Sequence, residues 1–221
     1  MPVPLELLRR VPYLGPLSSA DLEQLQARSV RQSFDRGAII FLENEPCHGM
    51  FLVESGRVKL FKTSAEGREQ VLLLAGPGHS FNDVAVFDGG PNPAAAAALD
   101  RVVVYLLPTA NIVSVVRLNP EAAMALAREF AGRLRHLSDL VEDLSFRHVT
   151  SRLAKLLLQY TQQEDPTIAR PRFTQQELAS MVGSVREVVG RSLAALEREG
   201  AIRIDRSRIL VADRDVLQRL A

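Results

Sequence analysis

Around Leu118-Asn119-Pro120-Glu121 the chain changes texture, from short apolar runs broken by glycine to long stretches of helical period. That change dictates different folds on its two sides. Upstream the runs are AIIF, GMFLVE, RVKLFK, QVLLL and VVVYLL, spread from Phe34 to about Leu107, with turns supplied by glycines such as Gly56, Gly67 and Gly78. Val58 and Leu60 alternate with Arg57, Lys59 and Lys62, the two-residue period of a half-buried strand. Strands recurring about every 8 to 12 residues predict an antiparallel sandwich or small barrel. The segment Asp88-Gly-Gly-Pro-Asn-Pro93 is a loop by composition.

Downstream, Asn119 is placed to cap a helix whose first residue is Pro120, with Glu121 near the positive end of the helix dipole. Ala123, Ala127, Phe130, Leu134, Leu137, Val141 and Leu144 follow at alternating spacings of 4 and 3. A stripe of that period suits a coiled-coil seam with a second helix, and it also suits a helix lying on its own domain's core. We take the intermolecular seam as the expectation, with Phe130, Leu134, Leu137, Val141 and Leu144 as its contacts.

The 221 residues are 47% hydrophobic and 24% charged, enough for a real core and against intrinsic disorder. No stretch approaches the roughly 18 apolar residues of a membrane span, and the start lacks the pattern of a secretory signal, so a cytoplasmic protein without membrane contact is expected. Cys47 is the only cysteine, which excludes a disulfide, a four-cysteine zinc site and a cysteine-held iron–sulfur cluster within one chain. His48, His79, His136 and His148 are scattered, so no protein-only metal site is expected. Residues 146–221 carry 13 Lys and Arg against 9 Asp and Glu, while residues 1–145 carry 14 against 17. The basic end suits a polyanionic partner, as a solvated basic face also would.

The segment PRFTQQELASMVGSVREVVGRSLAALEREGAIRI is the most informative one. Thr174 with Glu177 and Ser184 with Glu187 each have the spacing of a capping box, which predicts two helices starting about ten residues apart around a turn at Gly183. Leu178, Met181, Val182, Val189, Leu193 and Leu196 would pack them together. Gly200 would stop the second helix before a small hairpin of Ile202–Ile204 and Ile209–Val211. Helix, turn, helix, hairpin is the layout of a winged helix-turn-helix, whose second helix enters the DNA major groove. Arg186, Glu187 and Arg191 then face solvent: arginine can donate twice to guanine and glutamate can accept from cytosine. Taken alone, Glu187 is better explained as part of a cap.

The string GSVREVVGR at 183–191 resembles the recognition-helix signature of the Crp/Fnr superfamily of bacterial transcription regulators. Upstream, FDRGAIIFLENE, GMFLVESGRVKLFK and GPGHSFNDVAVFDG resemble that family's cyclic-nucleotide-binding β-roll. The resemblance implies an α+β chain of three parts: a β-roll sensor domain over 1–118, a dimerisation helix over 119–145 with a hinge near Ser145 and Phe146, and a winged helix-turn-helix domain over 146–221. It implies a homodimer on a palindromic, TGTGA-like DNA site, with RNA polymerase as a further partner. Arg186, Glu187 and Arg191 match the base-reading positions, and Gln175, Ser184, Arg206 and Arg208 are weaker candidates for backbone contacts.

The effector pocket departs from the cyclic-AMP-binding pattern. Such members carry Gly-Glu-Leu and then Arg-Ser or Arg-Ala, where this chain has Asn82-Asp83-Val84 and Pro93-Ala94, and the Thr-Ser pair of the central helix appears as Leu137-Ser138. Burying an anionic phosphate without its arginine costs several kcal/mol. The expected effector is therefore not cyclic AMP, or there is none, and Asp83 keeps the means to bind a hydroxyl. The run Ala94–Leu99 predicts a small, greasy pocket wall. No cofactor is identified. A haem held by His79 or His136, or a redox role for Cys47, is the alternative within the family. An enzyme on a cupin-like barrel finds no clustered histidines or nucleophile–base pair, and a pure assembly module without DNA is the remaining class.

Overall fold

The computed structural model describes residues 2–162, 173–205 and 208–221, the side chains of 161 and 162 excepted. In chain order its elements are α1 (Leu5–Arg9), α2 (Ser19–Arg28), β1 (Val30–Phe34), β2 (Ile39–Phe41), β3 (Gly49–Ser55), β4 (Val58–Thr63), β5 (Glu69–Ala75), β6 (Ser80–Phe81), α3 (Asp83–Asp88), β7 (Ala95–Ala98) and β8 (Val102–Pro108). Then come α4 (Thr109–Arg117), α5 (Pro120–Phe146), α6 (Val149–Gln162), α7 (Gln175–Val182), α8 (Arg186–Arg198), β9 (Ile202–Asp205), β10 (Arg208–Val211) and α9 (Arg214–Leu220). The chain divides into two compact units, Met1–Lys62 with Leu72–His136, and Thr63–Val71 with Leu137–Ala221, so that α5 contributes to both.

In the first unit, sheets ordered β1-β8-β3-β6 and β2-β7-β4-β5 enclose an apolar interior. The recorded pairings are antiparallel, with Phe51 opposite Phe81 and Leu60 opposite Ala96. The rings of Phe41, Phe51 and Phe81 stack there with centroids 5.1 to 6.1 Å apart, against Ala96, Ala98, Val102 and Val104. The apolar run Ala94–Leu99 contains β7, a strand of four buried alanines whose small side chains leave room for the rings. At Gly49 a Cβ would stand 2.2 Å from the Leu107 carbonyl oxygen, so this close approach of β3 to β8 requires glycine.

A second core lies where α1, α2 and α4 cover the outer face of the first sheet, with Leu8, Leu14, Leu22, Leu25, Met50 and Ile112 buried in it. Ser18 caps α2 by accepting from the Asp21 N–H at 3.1 Å. The start of α5 joins this core. Asn119 Oδ1 accepts from the Ala122 N–H at 3.0 Å, which is the cap its sequence predicts. Ala122 and Leu126 are buried, and Phe130, one further turn along, packs on the same cluster with its ring edge-on to Phe87 at 6.2 Å. Phe130 is half-buried there, so part of its side chain is spent on its own domain, while Ala123 and Ala127 of the same stripe are exposed.

The second unit is built on Leu153, Leu157, Leu178, Val182, Val189, Leu193, Leu196, Ile202 and Leu217. β9 and β10 pair antiparallel with Ile204 opposite Ile209. Asp143, near the end of α5, accepts from Arg147 at 3.0 Å and from Lys155 of α6 at 2.6 Å. The expected hinge near Ser145 and Phe146 is therefore bracketed by ion pairs.

Candidate nucleic-acid interface and effector region

Thr174 caps α7 with both bonds of a capping box: the Glu177 N–H donates to Thr174 Oγ1 at 3.1 Å, and the Thr174 N–H donates to the Glu177 carboxylate at 2.7 Å. The second expected box does not form. Gly183 takes a left-handed φ of +65°, and the Ser184 N–H donates to the Ala179 carbonyl at 2.9 Å, which commits Ser184 to ending α7. Helix α8 starts at Arg186 behind Val185, with no side-chain cap, and Glu187 falls in its first turn. The spacing of a box is present in the sequence, but the left-handed turn uses the serine one step earlier.

Val189, Ser192, Leu193 and Leu196 turn α8 inward, and Ser192 Oγ accepts from Thr150 Oγ1 of α6 at 3.0 Å, a tie that apolar periodicity could not show. On the opposite arc Arg186, Glu187 and Arg191 are exposed, as is Ala194 one turn on. Gly190 lies between them, and the Gln175 side-chain oxygen comes within 3.6 Å of the place a Cβ would occupy there. Gln175 thus stands beside the polar arc of α8. Arg208 is exposed on β10 and Ser184 is half-buried in the turn, while Arg206 lies outside the described residues. The arrangement presents two guanidiniums, a carboxylate and an amide from a well-packed helix pair, suited to base edges and phosphates.

The other candidate region is turned inward. Asp83 is 0% exposed, and its carboxylate accepts from Tyr13 Oη at 2.7 Å, from Ser80 Oγ at 3.3 Å and from Arg133 Nη1 at 2.5 Å. Burial pushes its carboxyl up, against the opposing pull of the Arg133 charge and the two hydroxyls. Burial also works against the Arg133 charge, but the carboxylates of Asp83 and Glu129 outweigh it and hold the guanidinium above its ordinary value. Burial, and next the charge of Asp83, raise the Tyr13 phenol well above its ordinary range. The expectation that Asp83 is open to a hydroxyl is corrected: its acceptor positions face three internal donors.

Asn82 is also buried, in a left-handed conformation with φ +68°, and its amide donates to Asn92 Oδ1 at 2.9 Å and to the Gly49 carbonyl at 3.2 Å. Ala94 is buried, whereas Val84 and Pro93 are exposed in the first unit, and Leu137 and Ser138 are exposed on α5 in the second. Tyr13 and Arg133 are the residues sequence reasoning missed. Arginine at 133, four residues before Leu137 on the long helix, was the available signal. His136 Nε2 lies 3.2 Å from the Leu72 carbonyl oxygen, His79 is exposed, and Cys47 Sγ accepts from the Asn82 amide at 3.4 Å. Among the described residues no three His, Cys, Asp or Glu gather as a metal site, and no helix is long and apolar enough to cross a membrane.

The family model of the cyclic nucleotide-binding domain matches residues 31–119, and that of the Crp-like helix-turn-helix domain matches residues 151–220. A CRP-like cAMP-activated global transcriptional regulator of Mycobacterium tuberculosis is 31% identical over 98% of this chain and 99% of its own. The chain belongs to the Crp/Fnr family of transcriptional regulators. A cyclic AMP receptor protein of Thermus thermophilus is 32% identical to this Crp/Fnr regulator over 95% of the chain and 96% of its own. A solved Crp/Fnr transcriptional regulator from Thermus thermophilus shares 29% identity at a TM-score of 0.70, covering 86% of this chain and 97% of that one. The regulator is thus an α+β, DNA-binding protein and not an enzyme.

Proposed function

We propose that this regulator acts in the cytoplasm as a homodimer that reads a two-fold related, TGTGA-like DNA site and responds to no cyclic AMP. The observation that carries the DNA reading is the outward arc of Arg186, Glu187 and Arg191 on a helix whose other side is buried. Gln175, Ser184, Arg206 and Arg208 supply backbone contacts in this reading. RNA polymerase is the partner through which a bound regulator of this family would act.

Dimerisation is supported by the later members of the seam. Leu134 is 66% exposed, Val141 63%, Leu137 40% and Leu144 39%, a continuous apolar stripe on α5. Two copies meeting along it in a parallel, two-fold arrangement would place the two recognition helices about one DNA turn apart. Leu134→Glu should therefore yield monomers in sedimentation and lose palindromic DNA binding, and an unchanged dimer mass would refute the seam.

Several relatives are named for activation by cyclic AMP, which sets the rival reading. Against it stand Pro93 where such members carry an arginine, Leu137 where they carry a threonine, and an Asp83 already bonded to Tyr13, Ser80 and Arg133. Without its charge-assisted hydrogen bond, a phosphate in a buried site binds less favourably by roughly 1.5 to 3 kcal/mol, about a tenfold to hundredfold weakening. Titrating a fluorescent palindromic duplex with and without millimolar cyclic AMP tests this. Equal affinities are expected, and a large gain on adding the nucleotide would overturn the reading.

A further inference from the structure

We infer that Tyr13, Asp83 and Arg133 are positioning residues for DNA recognition, forming a clamp inside the first unit that sets the rotation of α5 as an effector otherwise would. The inference rests on the reading that this regulator binds DNA without cyclic AMP.

The clamp joins four separate stretches of chain: the turn after α1 through Tyr13, β6 through Ser80, the first residue of α3 through Asp83, and α5 through Arg133. Arg133 bonds in three directions at once, with Nη1 to Asp83 at 2.5 Å, Nη2 to the Ser80 carbonyl at 3.2 Å and Nε to Glu129 at 3.2 Å. Only a planar fork can do this, and a lysine would keep one direction. Two of these bonds, to Asp83 and to the Ser80 carbonyl, tie α5 to α3 and β6 and resist its turning about its axis, while the bond to Glu129 lies within α5 and steadies the guanidinium. Leu134, the next residue, is then aimed outward by the same constraint, since successive residues stand about 100° apart around a helix.

Tyr13 Oη is fully buried 70 positions upstream of the carboxylate it bonds at 2.7 Å. Phenylalanine would fill nearly the same space, so the hydroxyl serves to orient Asp83 toward Arg133. A ligand shifts a conformational equilibrium only through contacts that differ between the two states. Here those contacts are made within the chain, which removes the need for a small molecule to select the state.

The test is anisotropy on a TGTGA-like palindromic duplex, using the full chain and its Asp83→Asn, Arg133→Lys and Tyr13→Phe variants. Thermal melts confirm that each is folded at the assay temperature, and binding to a random duplex at low salt reports the winged helix alone. Wild type should bind the palindrome without cyclic AMP. Asp83→Asn should lose about tenfold or more in specific affinity, within the usual range of coupling between sites, while random-duplex binding stays unchanged. Arg133→Lys and Tyr13→Phe should lose less. A purely structural role would lower the melting temperature and leave the affinity of the folded protein as it was.

Folded Arg133→Lys and Asp83→Asn proteins that bind as wild type does would overturn the clamp alone. Wild type that binds only after cyclic AMP is added would overturn both the clamp and the reading beneath it. Should Asp83→Asn fail to fold, Arg133→Lys and Tyr13→Phe decide the matter by the same comparison.

Discussion

In the first unit a fully buried carboxylate, Asp83, holds a guanidinium and a phenol of its own chain, whereas on α8 two guanidiniums and a carboxylate are held out from a packed helix. The first set of charges is used on the unit's own geometry, and the second is presented to solvent. The family's name for the first module describes a ligand-binding domain, and of the residues at the positions the resemblance assigns to the effector, Asn82, Asp83 and Ala94 are buried while Val84, Pro93, Leu137 and Ser138 are exposed. Under the proposed reading, one architecture is kept while its polar groups change from receiving a molecule to fixing a helix.

The sharpest way to separate the units is to weaken each core in turn. Leu52 and Leu193 are buried one in each unit, and truncating either to alanine should cost roughly 2 to 5 kcal/mol of stability. In calorimetry Leu52→Ala should lower one transition and Leu193→Ala another, and a single shared transition in every variant would show the division to be only geometric. Next in size, Arg186→Ala and Arg191→Ala should each lose roughly 1 to 3 kcal/mol in specific DNA binding, with no change in melting temperature. Equal losses on random and palindromic DNA would make them phosphate contacts.

Thr174→Ala removes the N-cap of α7 and should cost about 1 kcal/mol, read as a shift in the urea midpoint of the second unit alone. The smallest effect concerns acidity. Because burial raises the Asp83 carboxyl, the folded state takes up its proton at a higher pH than the unfolded chain does. Its contribution to stability is fully present below the unfolded value and is lost as pH rises through the folded one. The stability of wild type relative to Asp83→Asn should thus grow as pH falls from neutrality toward about 4 in urea titrations. A flat difference would mean that Arg133 holds the carboxyl at its ordinary acidity.

What could be read from the sequence was local. Asn119 before Pro120, Thr174 before Glu177 and the apolar positions of α7 and α8 each announce a helix through neighbours within four residues, and each is found as expected. Ser184 and Glu187 show the limit of such signals, because the closing of α7 at Gly183 claimed the serine first. Phe130 fits two readings of one stripe, and its packing on the first core is a contact that spacing alone does not show. The helices α1 and α2 lie outside the patterned runs, and Tyr13 is joined to Asp83 across 70 positions, a distance at which spacing says nothing. Asp83 looked like a ligand's partner because a carboxylate shows its acceptors in sequence and hides its donors.

The four alanines of β7 have a consequence for design. Alanine has little intrinsic preference for a strand, so β7 is held by its pairing with β2 and β4 and by the rings of Phe41, Phe51 and Phe81 beside it. Small neighbours cannot spread into a vacated space. Shortening Phe81 to alanine would leave a dry, hydrocarbon-lined void in the middle of a transcription factor, and such voids take up benzene-sized solutes. The same roll could then be made to answer to an aromatic molecule of the experimenter's choosing.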